Sequence, residues 1–201
     1  MPQQVQLADP SPFVPVLNMQ SLQLDETKFV RLCHDNPDLQ LELTRNGELI
    51  IMPPTSLESG WRNFKLIRRF ADWCDEDGSG IGFDSSTMFT LPNGAKRSPD
   101  VSWLRRERWE TLSTEERQRF SRITPDFVIE LRSPTDSLPD LQAKMEEYIT
   151  NGVRLGWLID PQTRRVHVYA PQHETVILDD QESVSGADIL PGFTLDVREI
   201  W

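Results

Sequence analysis

At 201 residues, with 37% hydrophobic and 26% charged side chains, the chain is long enough for one domain to bury a core without metal or disulfide staples. Its 21 basic and 32 acidic residues give a formal charge of −11, which repels phosphate backbones at long range, so any nucleic-acid role must rest on a local basic surface or a divalent cation. Cys33 and Cys74, far apart and without CxxC spacing, indicate neither a disulfide framework nor a structural zinc site, and no run approaches the ~20 apolar residues of a membrane span or the pattern of a signal peptide. The expectation is an unexported protein of the reducing cytoplasm, with no membrane contact.

Residues 1 to 21, with four prolines and little periodicity, read as an N-terminal arm, and 22–201 as a single domain. DETKFVRLC reads as a short helix capped by Asp25 and closed before Pro37. LQLELTRNGELIIM alternates around Asn46-Gly47, a strong hairpin signal, which places strands at 39–44 and 48–52. After Pro53-Pro54, Ser56 caps a long helix running to about Cys74. Leu57, Trp61, Phe64, Ile67, Ala71 and Cys74 form its expected apolar face, and Arg62, Lys65 and Arg69 another. Short strands follow at 81–85 and 87–91, then SPDVSWL at 98–104. The charged stretch 105–121 reads as a helical surface insertion. PDFVIELR begins a strand at Pro125; a helix from Leu138 to Thr150 follows, closed by Asn151-Gly152. VRLGWLID and RRVHVYA are two further strands, and 174–178 and 193–197 are expected to extend the sheet. This order of elements is a mixed α/β (α+β) domain.

No P-loop, nucleophile elbow or HExxH pair is present, and GSGIGFDS lacks the third glycine of a dinucleotide loop. His34, His167 and His173 are scattered; His167, between Val166 and Val168, reads as a strand-face residue. That leaves carboxylates at strand ends. In PDFVIELRSPTD an apolar strand ends in Glu130 and Arg132, which is either a solvated pair at a surfacing edge or part of a metal site at the mouth of a sheet. Mg²⁺ takes hard oxygen ligands, usually one or two carboxylates completed by water and phosphate. Asp126 lies on the same strand face as Glu130, but four residues at ~3.3 Å each separate them by roughly 13 Å, too far to share one ion. Asp100, opening SPDVSWL, meets Glu130 if the two strands are antiparallel neighbours. Two carboxylates brought together in a partly dry cleft repel, and a cation relieves that repulsion.

Arg132 stands where a water-activating lysine could be, yet a guanidinium stays protonated and cannot act as a base. Lys144, near the packing stripe of Leu141, Met145 and Tyr148, can reach back to the strand end; the alternative is an exposed Asp140–Lys144 pair. Glu58 shares a line with Arg62 and Lys65, either as an i,i+4 salt bridge or as an acid beside a basic stripe that could track phosphates.

ELTRNGELIIMPPTSLESG, SPDVSWLRRERW and PDFVIELRSPTDSLPDLQAKMEEYITNGVRLGWLIDP resemble the Uma family of restriction-endonuclease-like proteins, within the PD-(D/E)xK nuclease superfamily, over about Leu39 to Tyr169. The resemblance implies a restriction-endonuclease-like core, a central mixed sheet flanked by helices, with a carboxylate-bound Mg²⁺ (or Mn²⁺) site. On it, Asp100 is the PD acid, Glu130 the acid of ExK, the Leu131 carbonyl a further ligand, and Glu58 the acid from the first core helix. The sequence departs from the pattern at Glu130-Leu131-Arg132, where the lysine is missing; its function is displaced to Lys144, with Gln142 beside it. The expected activity is metal-dependent hydrolysis of nucleic acid, DNA foremost, with Arg132, Gln142, Arg62 and Lys65 on the substrate and a homodimer as the assembly. The alternatives are a nuclease-fold binding module without turnover and a structural oligomer joined through aromatic residues of 105–120.

Overall fold

A computed structural model describes residues 14–201. Three strands open the chain: β1 (Val16–Asn18), β2 (Gln40–Leu43) and β3 (Glu48–Met52), with helix α1 (Glu26–Asp35) between the first two. Asp25 caps α1 by accepting the Lys28 N–H at 2.9 Å. Gly47, at φ 77°, makes the hairpin turn in a conformation few other residues adopt. β1 pairs antiparallel with β3, so the described part of the expected arm is stitched to the sheet rather than separate from it; residues 1–13 lie outside the described residues.

Helix α2 (Leu57–Asp77) begins where Ser56 accepts the Ser59 N–H and ends at Gly78, φ 66°. It is followed by β4 (Gly80–Asp84), β5 (Phe89–Thr90), β6 (Lys96–Arg97) and β7 (Val101–Arg105). The 105–121 segment folds as two short helices, α3 (Arg106–Glu110) and α4 (Thr114–Arg117). Its aromatic residues are held by this same chain: Trp109 lies against Phe83 and under Arg117, and Phe120 meets Phe29. Next come β8 (Phe127–Leu131), α5 (Leu138–Thr150), β9 (Leu155–Asp160), β10 (Arg165–Tyr169), β11 (Val176–Asp179), β12 (Ser183–Ser185) and β13 (Thr194–Asp196).

The main sheet has the order β11-β10-β9-β8-β7-β4, and a second sheet the order β1-β3-β2-β6-β5. β8 and β9 run parallel with α5 as their crossover, while β7 joins β8 antiparallel. Every residue of β8 and β9 is buried, because α5 covers one face and α2 the other. Val101, Phe127, Ile129 and Trp157 meet Leu66 and Phe70 of α2 on one side; Val128 and Leu158 meet Met145 and Tyr148 of α5 on the other. At Gly156 α5 comes so close that an added Cβ would stand 2.5 Å from the Met145 methyl.

Two expectations fail here. The 193–197 stretch pairs with β12 in a separate two-stranded sheet, since the chain after β11 turns away from the sheet edge. The buried residues of α2 are Ser59, Leu66 and Phe70, whereas Leu57, Trp61 and Phe64 face outward. Among the described residues no helix is long and apolar enough to cross a membrane, and both cysteines are free thiols.

Candidate active site

The register of β7 on β8 pairs Val101 with Ile129, and one step further it sets Asp100 opposite Glu130. Directly opposed residues share a face, here the face covered by α5. Asp100 Oδ2 accepts the Leu131 N–H at 2.7 Å. In an extended strand a residue's N–H and C=O point to the same edge, so the Leu131 carbonyl also faces β7.

From α5, Lys144 and Tyr148 sit one turn apart and descend on the strand end. Lys144 Nζ lies 2.8 Å from Glu130 Oε1 and 2.9 Å from Glu42 Oε1, and the Tyr148 hydroxyl donates to Glu130 Oε1 at 2.9 Å. The exposed Asp140–Lys144 pair does not form. Glu42 arrives from β2 and is tied further by Arg97 Nη1 at 3.0 Å and the Ser98 N–H at 2.9 Å. Arg97 in turn holds Glu147 of α5 at 2.7 Å. The second sheet thus reaches into the mouth of the first.

Four carboxylates (Glu42, Asp100, Glu130 and Glu147) face two cations (Lys144 and Arg97), an excess of two negative charges in a dry setting. Burial is the largest influence on the titration of each of these groups, and the neighbouring charges modify it. Burial pushes the Asp100 carboxyl up to about 6, against the pull of the Leu131 amide and Lys144. Burial likewise lifts Glu130 to about 7, against the pull of Lys144 and with added repulsion from Asp100 and Glu42. Burial would also raise Glu42, but Lys144 and Arg97 together hold it below the usual carboxylate range. Burial works against the charge on Lys144, yet Glu130 and Glu42 outweigh it and push the ammonium's pKa upward. Burial and the Glu130 charge raise the Tyr148 phenol well above its ordinary value.

A divalent ion fits this donor set. Among the described residues Asp100 Oδ1 and Glu130 Oε2 accept no hydrogen bond, so one oxygen of each carboxylate is left as a donor for a cation.

Other expected site residues lie elsewhere. Glu58 is 65% exposed at the start of α2 and pairs with Arg62 at 2.8 Å, the i,i+4 bridge; it is not joined to the acid cluster. Lys65 lies 4.0 Å from Glu199 and over the Trp61 ring. Arg132 does not form a solvated pair with Glu130: its Nη1 meets the fully buried Asp160 at 2.8 Å and its Nε the Asp136 carbonyl, so it ties a loop to β9. Gln142 is half-buried and makes no hydrogen bond among the described residues. Asp126 occupies the opposite end of β8, accepting the Arg105 N–H at 2.9 Å and pairing with Arg108 at 3.0 Å. His167 is buried with neither ring nitrogen hydrogen-bonded.

Glu42, Arg97, Glu147 and Tyr148 were missed by sequence reasoning. Glu42 is the polar member of an apolar–polar alternation, the pattern of a solvent face, and its partner Lys144 is 102 residues away. Only the packing of the second sheet against α5 turns that face inward.

No curated protein matches the chain. A crystal structure described as "a putative nuclease belonging to DUF820", from Anabaena variabilis ATCC 29413, matches 94% of this chain and 97% of its own with a TM-score of 0.70. At 22% identity that likeness carries the fold alone, a mixed arrangement of sheets and helices. The Uma2 family, described as "Putative restriction endonuclease", matches residues 27–198, which span every element of both larger sheets from β2 onward, and the chain belongs to that family.

Proposed function

We propose that the protein is a Mg²⁺- or Mn²⁺-dependent endonuclease that hydrolyses phosphodiester bonds of nucleic acid, DNA foremost. The observation that carries this reading is the antiparallel register that sets Asp100 opposite Glu130 with the Lys144 ammonium 2.8 Å away. Asp100, Glu130 and the Leu131 carbonyl would hold the cation. When bound, it supplies a Lewis acid that makes hydroxide available near neutral pH and offsets charge on the phosphoryl oxygens.

The chain's own groups divide the remaining work. Lys144, kept protonated by two carboxylates, is not the general base; it is a fixed positive charge that orients the attacking hydroxide and stabilises charge developing on the phosphate. Glu42 and Tyr148 hold Lys144 and Glu130 in place, a positioning role that costs no reorganisation during the reaction. The unbonded Gln142 amide is available to substrate.

Single-stranded, duplex and branched DNA incubated with the protein in Mn²⁺, beside Glu130→Gln, tests the reading. Cleavage by the natural protein and none by the variant is expected; the same products from both would refute it. The engagement of Glu130 Oε1 by both Lys144 and Tyr148 favours a second reading, a binding module that keeps the fold without turnover. A Mn²⁺-dependent thermal shift that disappears in Asp100→Ala separates the two, since the module predicts no shift in the natural protein.

A further inference from the structure

β4 is the last strand at one side of the main sheet, and its outer edge has no strand beside it among the described residues. The Arg106 N–H donates to the Ser79 carbonyl, which, with Gly80 opposite Arg105, puts the hydrogen-bonded pairs between β4 and β7 at residues 79, 81 and 83. The N–H and C=O of Gly82 therefore point away from β7. Gly82 is exposed, and neither group has a partner among the described residues. An open edge of this kind is a template for another strand.

Beside the edge runs a groove of about 590 Å³ between β4 and the flank of α2. Gly80 and Gly82 put no side chain into it, and Ile67, Ala71 and Cys74 form its helix wall. Its two ends differ in charge. Arg106 donates to the Gly78 carbonyl at one end and forms no ion pair among the described residues. Asp84 stands at the other end, where Ser86 and Thr87 occupy only its Oδ1, leaving Oδ2 without a donor among the described residues.

We propose that a second copy of this chain pairs with the β4 edge, antiparallel and related by a two-fold axis at Gly82. In that register Gly82 of each copy exchanges hydrogen bonds with its twin, and Ile81 lies opposite Phe83. Asp84 comes opposite Gly80 of the other copy, beside that copy's Arg106, so each unmatched charge meets its opposite. The far edge of the sheet is a poorer interface: a two-fold at Ile177 in β11 would set Glu174 against Asp180. An axis at Gly82 stands perpendicular to the sheet, so both acid clusters open on the α5 face. Asp100 lies one step beyond the Asp84–Val101 pair, and strand rise and spacing then separate the two Asp100 residues by roughly 25 Å. An extended nucleic acid lying on that face reaches both. This last consequence rests on the nuclease reading above, whereas the interface does not.

Sedimentation velocity of the full chain in EDTA, without nucleic acid and across the micromolar range, tests the interface. A dimer is expected, with amide exchange at Gly82 slowing as concentration rises. Ala71→Glu, on the exposed wall of the groove, puts like charges on the two facing flanks and should raise the dissociation constant at least about tenfold with an unchanged far-ultraviolet circular dichroism spectrum. Arg106→Asp should weaken the dimer, and Asp84→Arg/Arg106→Asp should restore it. Val176→Lys/Ile177→Lys, on the far edge, should leave it intact. A monomer at every concentration overturns the proposal, as does a dimer indifferent to Ala71→Glu or a charge swap that restores nothing. Loss of the dimer in the β11 variant overturns it too, and so does Gly82 protection that ignores concentration, which would mean that the chain covers its own edge. A dimer at β4 without cleavage in Mn²⁺ keeps the interface and removes the hydrolytic reading; cleavage by a protein that stays monomeric does the reverse.

Discussion

Replacing Lys144 with methionine keeps most of the buried stem and removes the ammonium that two carboxylates share. Glu42 keeps Arg97 and the Ser98 amide, so its loss is one hydrogen bond between charged groups, about 1.5–3 kcal/mol. Glu130 keeps only the Tyr148 hydroxyl, but it can escape by binding a proton. At pH 8 and from a folded pKa of about 7, that escape limits the added cost to about 1.4 kcal/mol, one pH unit's worth of protonation. At pH 5 Glu130 is already protonated in the natural protein and the added cost vanishes. Lys144→Met should therefore destabilise the metal-free protein by about 3–4 kcal/mol at pH 8 and about 1.5–3 kcal/mol at pH 5. Urea unfolding at both values measures this, and at pH 8 the melting temperature should fall by roughly 6–15 °C. In a Glu130→Gln background the cost of Lys144→Met should no longer change between pH 5 and 8. A cost below about 1 kcal/mol at pH 8, or one that grows on acidification, would refute the shared-ammonium account.

Asp100 and Glu130 both have folded pKa values above their ordinary 3.8 and 4.5, so the native state binds more protons than the unfolded chain between those values and about 6 and 7. Their contribution to stability is full below pH 4 and is lost as pH rises through 7, on the order of 3 kcal/mol for each. In EDTA the urea midpoint should fall between pH 5 and 8, and Asp100→Asn should flatten that fall; a flat profile in the natural protein contradicts the charge imbalance. At Gly156, alanine should cost about 1–3 kcal/mol, because its methyl would strike Met145. Gly156→Ala/Met145→Ala should recover part of the loss by chemical denaturation, and an undiminished loss in the double variant would place the strain elsewhere.

Local chemistry wrote much of the architecture into the sequence. Ser56 and Gly78 close α2 by accepting and donating the end hydrogen bonds of the helix. Gly47 turns the first hairpin, and the helix expected over 138–150 is α5. The strands of PDFVIELR and VRLGWLID announce themselves as apolar runs, since both their faces are covered. Distance along an extended strand was enough to separate Asp126 from Glu130, and to leave Asp100 as the acid that an antiparallel neighbour would bring opposite.

Tertiary structure decided what periodicity could not. The apolar residues of α2 occupy more than one face, and only the packing of the helix on the sheet determines that the side carrying Leu66 and Phe70 is buried while Trp61 and Phe64, on the opposite side, face outward. Glu42 looks like a solvent residue until the second sheet closes on α5, and Arg132 looks like a partner of Glu130 until β9 presents Asp160. Side-chain charge acts through space over a few ångströms while a sequence records order along the chain, so a cluster drawn from β2, β6, β7, β8 and α5 takes its members, and its excess of negative charge, from the packing of the two sheets.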